Sequence, residues 1–315
     1  MSIQSALVIG TGMMGPGIAG ALALGGVRAT IVSRSSAGAR RGLESALLGL
    51  RVLSENGLID QAHEAAAADK LASTHQLEEM LPAVDLVVES APEDMAFKQD
   101  LFARLESLAH PDAILASNTS GLSITAIALK CTRPHRVITT HFWNPPHLMP
   151  LVEIVRGEKT SDETVAVMRD LLKQCGKVPV LVKKDRPGQL GNRMQMAMVR
   201  EAVNIVQEGI ADPEDVDTAA RIGFGLRLPA YGVLEHQDMV GLVLGHAVCD
   251  YIARDLYNEP KAPDLYREKI ARGETGVAAG RGFHDWSRKS AAEVRERRDK
   301  FVIECLRRGI THGLA

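Results

Sequence analysis

The feature that most constrains this chain stands near its start. Residues 5–10, Ser-Ala-Leu-Val-Ile-Gly, form a short apolar run ending in glycine, and Gly10-Thr-Gly12-Met-Met-Gly15 then opens a helical stretch. An apolar run without alternation is the pattern of a strand buried on both faces of a parallel sheet. The glycines have separate tasks: the first permits a tight turn, the second lets a pyrophosphate approach the backbone, and the third allows close helix–strand packing. The helix N-terminus adds free N–H groups and the positive end of its dipole. A GxGxxG string alone is weak evidence; after an apolar strand and inside a βαβ unit it is strong. Gly10, Gly12, Met13, Met14 and Gly15 are therefore the expected cradle of a dinucleotide.

Runs of the same kind recur at Ala29–Val32, Asp85–Glu89, Ala113–Ser117 and Val137–His141, with helical stretches between them. The alternation predicts an α/β fold with an N-terminal Rossmann-type doubly wound sheet. Gly42–Lys70 is alanine- and leucine-rich with Asn56-Gly57 at its middle, which predicts two antiparallel helices inserted after the second strand. Val178–Lys183 reads as the last strand of the first domain, and Lys184–Gly188 as a hinge or entry loop. Beyond it, Leu190, Met194, Ala197, Met198, Ala202, Ile205 and Val206 recur at spacings of three and four. They predict one long amphipathic helix with a broad apolar face. No strand pattern follows it. The expected domains are thus 1–184, binding the dinucleotide, and 185–315, mainly α-helical, for substrate binding and dimerisation. A chain of 315 residues suits two such cores.

Composition excludes several classes. A formal charge of −2 gives no reason to expect nucleic acid or an anionic membrane surface as partner. No apolar run approaches the eighteen or so residues a membrane span needs. Aromatics make up only 4%, so the core is expected to be aliphatic, with the 11 methionines filling gaps. Cys131, Cys175, Cys249 and Cys305 are widely spread with no metal-ligand spacing, as expected of free thiols in a reducing compartment. With no basic segment before the first strand, no signal peptide is expected and the compartment is read as cytoplasmic. Arg295–Arg298 reads as the solvated face of a terminal helix.

The end of the second strand reports on the cofactor. An acidic residue there would bond the ribose 2′-hydroxyl of NAD. This chain has Ser33 and Arg34 instead, which removes repulsion against a 2′-phosphate and offers a guanidinium to pair with it. NAD and NADP both remain open, with Arg34 stacking on adenine if NAD is used.

Two polar clusters follow predicted strands and should lie at the carboxyl edge of the sheet: Ser117-Asn-Thr-Ser120-Gly-Leu, and the stretch from Thr140-His-Phe-Trp-Asn-Pro-Pro to Leu-Val-Glu153-Ile-Val-Arg-Gly157. Alcohol oxidation needs a base for the hydroxyl proton as hydride leaves carbon, and an imidazole suits this in both directions. His141 fits that role, with Glu153 fixing its tautomer and stabilising the imidazolium. The bland alternatives are a core histidine, a solvent-facing Glu153, a helix-start Asn192 and a surface Lys98.

The order SNTS, H-F-x-N-P, L-V-E and P-G-x-x-x-N-R, with matching gaps over nearly the whole chain, resembles the 3-hydroxyacyl-CoA dehydrogenase family. The resemblance implies that His141 is the catalytic histidine and Glu153 its carboxylate partner. It implies that Ser120 bonds the substrate oxygen and that Asn192 completes the site. Glu93 and Lys98 match a pair near the nicotinamide ribose, and Asn118 stands where the family contacts the nicotinamide end. Gly280-Arg-Gly-Phe-His-Asp-Trp286 resembles the family's closing motif. His147 and His236 are read as peripheral or structural. Within the family, a homodimer through the helical domain is expected.

The same resemblance implies a small hydroxy or keto substrate, either an acyl-CoA thioester or a free or aromatic carboxylate. Gly42–Lys70, which covers CoA in relatives that use it, carries Glu44, Glu55, Asp60, Glu64 and Asp69 against Arg51 and Lys70, a poor surface for phosphates. Gly223–Glu235 resembles the λ-crystallin and L-gulonate 3-dehydrogenase branch, in which Arg227 would hold a substrate carboxylate. Conversely, Asn144-Pro-Pro-His-Leu-Met-Pro and Asp238-Met-Val-Gly-Leu resemble the acyl-CoA branch, though Val243 replaces its usual Asp. Gln189 and Gly191 depart from the commoner aromatic and apolar choices, which leaves the pocket's shape open. A crystallin-like dinucleotide-binding protein without turnover is the non-enzymatic alternative.

Overall fold

A computed structural model describes residues 2–310. Its elements run β1 (Ser5–Ile9), α1 (Gly15–Leu24), β2 (Arg28–Val32), α2 (Ser36–Glu55), α3 (Gln61–Ala68), β3 (Leu71–Thr74), α4 (Leu77–Met80), β4 (Leu86–Glu89) and α5 (Met95–Leu108). Then come β5 (Ile114–Ser117), α6 (Ile124–Ile127), β6 (Val137–Phe142), β7 (Leu151–Val155), α7 (Asp162–Gln174) and β8 (Val178–Val182). Helices α8 (Gly191–Gln207), α9 (Pro213–Thr218), α10 (Val233–Val240), α11 (Leu242–Ile252), α12 (Asp264–Ala271) and α13 (Ala291–Arg307) follow.

The strands form one sheet in the order β3-β2-β1-β4-β5-β6-β7-β8. All neighbours are parallel except β6 and β7. The order reverses between β1 and β4, and a crevice at such a switch point is where ligands bind in open α/β sheets. Alternation along each strand divides the core between the two faces. Ala6, Val8, Leu86, Val88, Ile114 and Ala116 pack with Ile18 and Leu22 of α1 and Met168 and Leu172 of α7. Leu7, Val87, Leu115 and Val137 pack on the opposite side with Phe102 and Leu105 of α5. Short polar residues start several of these helices: Ser35, Asp94 and Ser161 each accept an N–H from the first turn of α2, α5 and α7.

Three details differ from the sequence expectation. The helical pair begins at Ser36 rather than Gly42, because Ser35 provides the cap, so Arg40 and Arg41 join its early turns. The break at Asn56-Gly57 is where it was expected, with Gly57 at φ +67°. Strands β3 and β7 have no counterpart in the sequence reading: Leu71–Thr74 is short and half-exposed, and Leu151–Val155 was hidden in a polar-flanked motif. The long amphipathic helix starts at Gly191, one residue after Leu190.

The chain divides into two compact units, Met1–Arg193 and Met194–Ala315, the boundary falling inside α8. The second unit is helical among the described residues, with only isolated bridges linking Gly276, Arg281 and Asp285.

Candidate active site

The glycine-rich turn after β1 is built as its spacing requires. Gly10 sits at φ +117°, and a Cβ there would lie 2.4 Å from the Ser90 carbonyl oxygen that follows β4. A Cβ on Gly15 would lie 1.9 Å from the Gly10 carbonyl oxygen, so the first turn of α1 packs directly on the loop. Around Gly12 there is open space. Helix α1 also lacks a side-chain cap at Met14 and has Pro16 in its first turn. An exposed glycine backbone beside uncapped N–H groups fits the pyrophosphate of a dinucleotide. Met13 is exposed, whereas Met14 packs against the core. At the end of β2 the Ser33 hydroxyl occupies the space beside Gly38. Arg34 is exposed, and its guanidinium has no hydrogen-bond or ion-pair partner among the described residues.

The antiparallel pairing of β6 and β7 brings His141 opposite Glu153. Residues opposite each other in such a pair project on the same face, so a sequence separation of twelve becomes a side-chain contact. His141 Nδ1 lies 2.7 Å from Glu153 Oε2. The imidazole is 6% exposed and the glutamate 0%. The same Oε2 accepts the Trp143 indole N–H at 3.1 Å, while Oε1 accepts the backbone N–H groups of Leu190 at 3.0 Å and Gly191 at 2.8 Å. Burial pushes the Glu153 carboxyl up, but hydrogen bonds from His141, Gly191 and Leu190 outweigh it and hold the group below its ordinary range. An ionised carboxylate only accepts, so Nδ1 carries the proton and Nε2 is left as the acceptor of the neutral ring.

Beside this pair lies a second network, buried at Glu89, Lys98 and Ser117. Glu89 at the end of β4 is fully buried and accepts from Lys98 Nζ at 2.5 Å, from Ala91 N at 2.6 Å and from Ser117 Oγ at 2.6 Å. Lys98 is 1% exposed, and its ammonium also lies 3.4 Å from Glu93 Oε2. Glu93 in turn accepts from Thr119 Oγ1 and from Ser120 N at 2.6 Å. Asn192 Nδ2 donates to the Ser120 carbonyl at 2.9 Å, and Gln189 Nε2 to Thr119 O at 2.8 Å. Asn118 Oδ1 accepts from Phe142 N at 2.8 Å, which ties the ends of β5 and β6 together.

The first unit thus brings together His141, Glu153, Ser120, Asn192, Glu93, Lys98 and Asn118 of the residues singled out in the sequence. Arg227 lies in the second unit, exposed and without a side-chain partner among the described residues. His147 lies against Gly49 of α2, and His236 stacks on Tyr231 at 5.1 Å. Sequence reasoning missed Glu89 and Trp143. A lone carboxylate ending the otherwise apolar Leu86–Glu89 run was the available signal for the first; nothing local marks the second. Among the described residues no cluster of His, Cys, Asp and Glu is arranged to hold a metal ion, and no helix is long and apolar enough to cross a membrane.

Residues 5–186 match the model of the 3-hydroxyacyl-CoA dehydrogenase NAD-binding domain, and residues 188–286 that of the family's C-terminal domain. The chain is 33% identical over 301 residues to 5-formyl-3-hydroxy-2-methylpyridine 4-carboxylate 5-dehydrogenase of Mesorhizobium japonicum, covering 96% of each. It is 35% identical to a probable 3-hydroxybutyryl-CoA dehydrogenase of Bacillus subtilis, covering 92% of this chain and all of that protein. Among solved structures, that of a 5-formyl-3-hydroxy-2-methylpyridine 4-carboxylic acid 5-dehydrogenase, described as an NAD+-dependent dismutase, superposes with a TM-score of 0.90 at 32% identity, covering 99% of both chains. The (S)-3-hydroxybutyryl-CoA dehydrogenase of Ralstonia eutropha gives 0.75 at 33% identity, covering 90% of this chain and 99% of that one. The chain belongs to the 3-hydroxyacyl-CoA dehydrogenase family of NAD-dependent oxidoreductases.

Proposed function

We propose that this oxidoreductase acts on a small free carboxylate that bears the reacting hydroxyl or carbonyl, rather than on a CoA thioester. The observation that carries the chemistry is the buried His141–Glu153 pair, with Nδ1 held by the carboxylate and Nε2 left for substrate. His141 takes the hydroxyl proton at Nε2 in oxidation and returns it in reduction, and Glu153 stabilises the imidazolium. Ser120 Oγ and Asn192 hold the reacting oxygen. Gly10, Gly12, Met13, Met14 and Gly15 seat the pyrophosphate, and Glu93, Lys98 and Asn118 orient the nicotinamide end. NAD, when bound, supplies the hydride acceptor or donor.

Three observations support the free carboxylate. The turn between α2 and α3 carries Glu55, Asp60 and Glu64 against Arg51, while Arg40 and Arg41 sit in the early turns of α2, toward the β2 end. Phosphates of CoA would be repelled there. The unpartnered Arg227 guanidinium suits a carboxylate fork. The TM-score of 0.90 to a pyridine-carboxylate enzyme, against 0.75 for a CoA-thioester enzyme, points the same way. Ser33 and the free Arg34 favour NADP beside NAD. The exposed apolar side chains of the second unit, Leu234, Met239, Val243 and Tyr251 among them, support a homodimer through residues 185–315. The free cysteines suit a cytoplasmic site of action.

The test is a panel of initial rates with NAD and NADP separately: a 3-hydroxyacyl-CoA, its free acid, L-gulonate and an aromatic aldehyde carboxylate, with His141→Ala as control. Turnover of a free carboxylate, lost in Arg227→Ala through a raised KM, is the expected result. Preferred turnover of the thioester would reject the substrate reading. No turnover of any compound, with His141→Ala no different, would reject the enzyme.

A further inference from the structure

Trp143 follows the strand end that bears His141, and its ring lies beside the imidazole, with centroids 5.7 Å apart at 48°. Its Nε1 shares one oxygen of Glu153 with His141 Nδ1, at 3.1 and 2.7 Å. The same indole explains a glycine. A Cβ on Gly191 would lie 2.4 Å from Trp143 Cζ2, so only glycine lets the first turn of α8 lie against the ring and aim its N–H at Glu153 Oε1. Trp143 and Gly191 are thus a matched pair gripping one carboxylate from both ends.

We propose that Trp143 is a positioning residue of the site, setting the orientation and charge of Glu153 and through it the proton affinity of His141, with Gly191 as the space its indole requires. That this affinity serves proton transfer from a substrate hydroxyl rests on the reading given above. A carboxylate oxygen that accepts two N–H groups shares its charge between them, so it holds an imidazolium less tightly than an oxygen with one donor. Removing the indole N–H concentrates the charge on the remaining contact and makes His141 a stronger base.

Other charged and titratable groups on the surrounding segments have partners of their own, pack against other residues or are exposed. Lys177 donates to the carbonyls of Pro146 at 2.7 Å and Met149 at 3.0 Å, and Arg193 to that of Pro187 at 3.2 Å. Glu89, Glu93 and Lys98 are bound to one another and to residues 117–120. His147 lies against Gly49, and Arg186 is exposed.

Trp143→Phe keeps a ring and removes the donor. Nitrogen NMR of histidine-labelled full-length protein, with His141→Gln to assign the resonance, follows His141 directly and needs no substrate. The expected result is an upward move of its titration midpoint by roughly 0.5–1 pH unit, about a three- to tenfold gain in proton affinity. The acidic limb of the kcat/KM profile should move with it. A midpoint unchanged within about 0.2 unit overturns the inference, because lost packing alone does not retune the ring. If the midpoint moves while the wild-type protein turns over no substrate, the coupling stands and the dehydrogenase reading falls. The pairing has its own check: Gly191→Ala should lower the urea midpoint, and Trp143→Phe in the same chain should restore part of it. A Gly191→Ala protein as stable as wild type refutes the pairing.

Discussion

Replacing Glu153 by glutamine tests the four-donor arrangement most directly, because the two side chains have nearly the same shape. Each carboxylate oxygen accepts two N–H groups: His141 and Trp143 on one, Leu190 and Gly191 on the other. An amide offers one oxygen and one NH2, so in either orientation its NH2 faces two donors. If it faces Leu190 and Gly191, two partly buried backbone N–H groups lose their acceptor, at up to about 1–3 kcal/mol each and about 2–6 kcal/mol together. If it faces His141, the ring can accept at Nδ1 only by placing its proton on Nε2, the position proposed above to take the substrate proton. One orientation damages the segment leading into α8; the other installs the wrong tautomer. Glu153→Gln should therefore lose roughly 10⁴ in kcat, the scale on which an amide replaces the carboxylate of a catalytic histidine pair. It should also lower stability by several kcal/mol. Steady-state rates on the best substrate of the panel and urea unfolding followed by tryptophan fluorescence, which Trp143 and Trp286 report from the two units, read both effects. Activity within about tenfold of wild type and stability within about 0.5 kcal/mol would refute the arrangement, since that is the range of an ordinary surface substitution.

Three further outcomes follow from the same geometry. Gly15→Ala places a Cβ 1.9 Å from the Gly10 carbonyl oxygen, so it should abolish dinucleotide binding measured by calorimetry, and retained affinity would count against the loop's role. Lys98→Met leaves the fully buried Glu89 without its ammonium partner and should cost about 3–5 kcal/mol in urea unfolding; adding Glu89→Gln should recover part of it, and a double variant less stable than the single would contradict the assignment. The Lys177 ammonium is pushed down to about 8 by burial, against 10.5 for the ordinary group, so the unfolded chain binds its proton more tightly than the folded one. Its contribution to stability should therefore rise as pH increases from about 8 towards 10.5, measured as the difference between wild type and Lys177→Met, and a difference that fell over that window would reverse the sign.

Much of the fold was legible because its signals are local. An apolar run of four or five residues, a glycine at its end and a polar helix cap are each read from adjacent positions, and β1, β2, β4, β5, β6 and β8 were found in that way. Strand β7 escaped because Leu-Val-Glu-Ile-Val follows a proline-rich loop, and its partner β6 runs antiparallel to it, unlike the rest of the sheet. Strand β3 escaped because an edge strand needs little apolar surface, and Leu71–Thr74 is only half-buried.

The sequence by itself determined the glycine turn, the alternation of helices with six of the eight strands, and which residue types were available for proton transfer. Tertiary structure decided the rest. Pairing across β6 and β7 put His141 against Glu153, and the approach of residues 190 and 191 supplied two more donors to the same carboxylate. Burial made Lys98, which the family resemblance places near the nicotinamide ribose, the ion-pair partner of Glu89, a residue with no distinguishing local motif. Trp143 acquired a role only when its indole reached Oε2 and excluded a side chain at position 191. The physical reason is common to all of them. Backbone geometry and hydrophobic periodicity repeat over a few residues and are written locally, whereas a hydrogen bond between side chains depends on register, packing and loop closure across the whole domain.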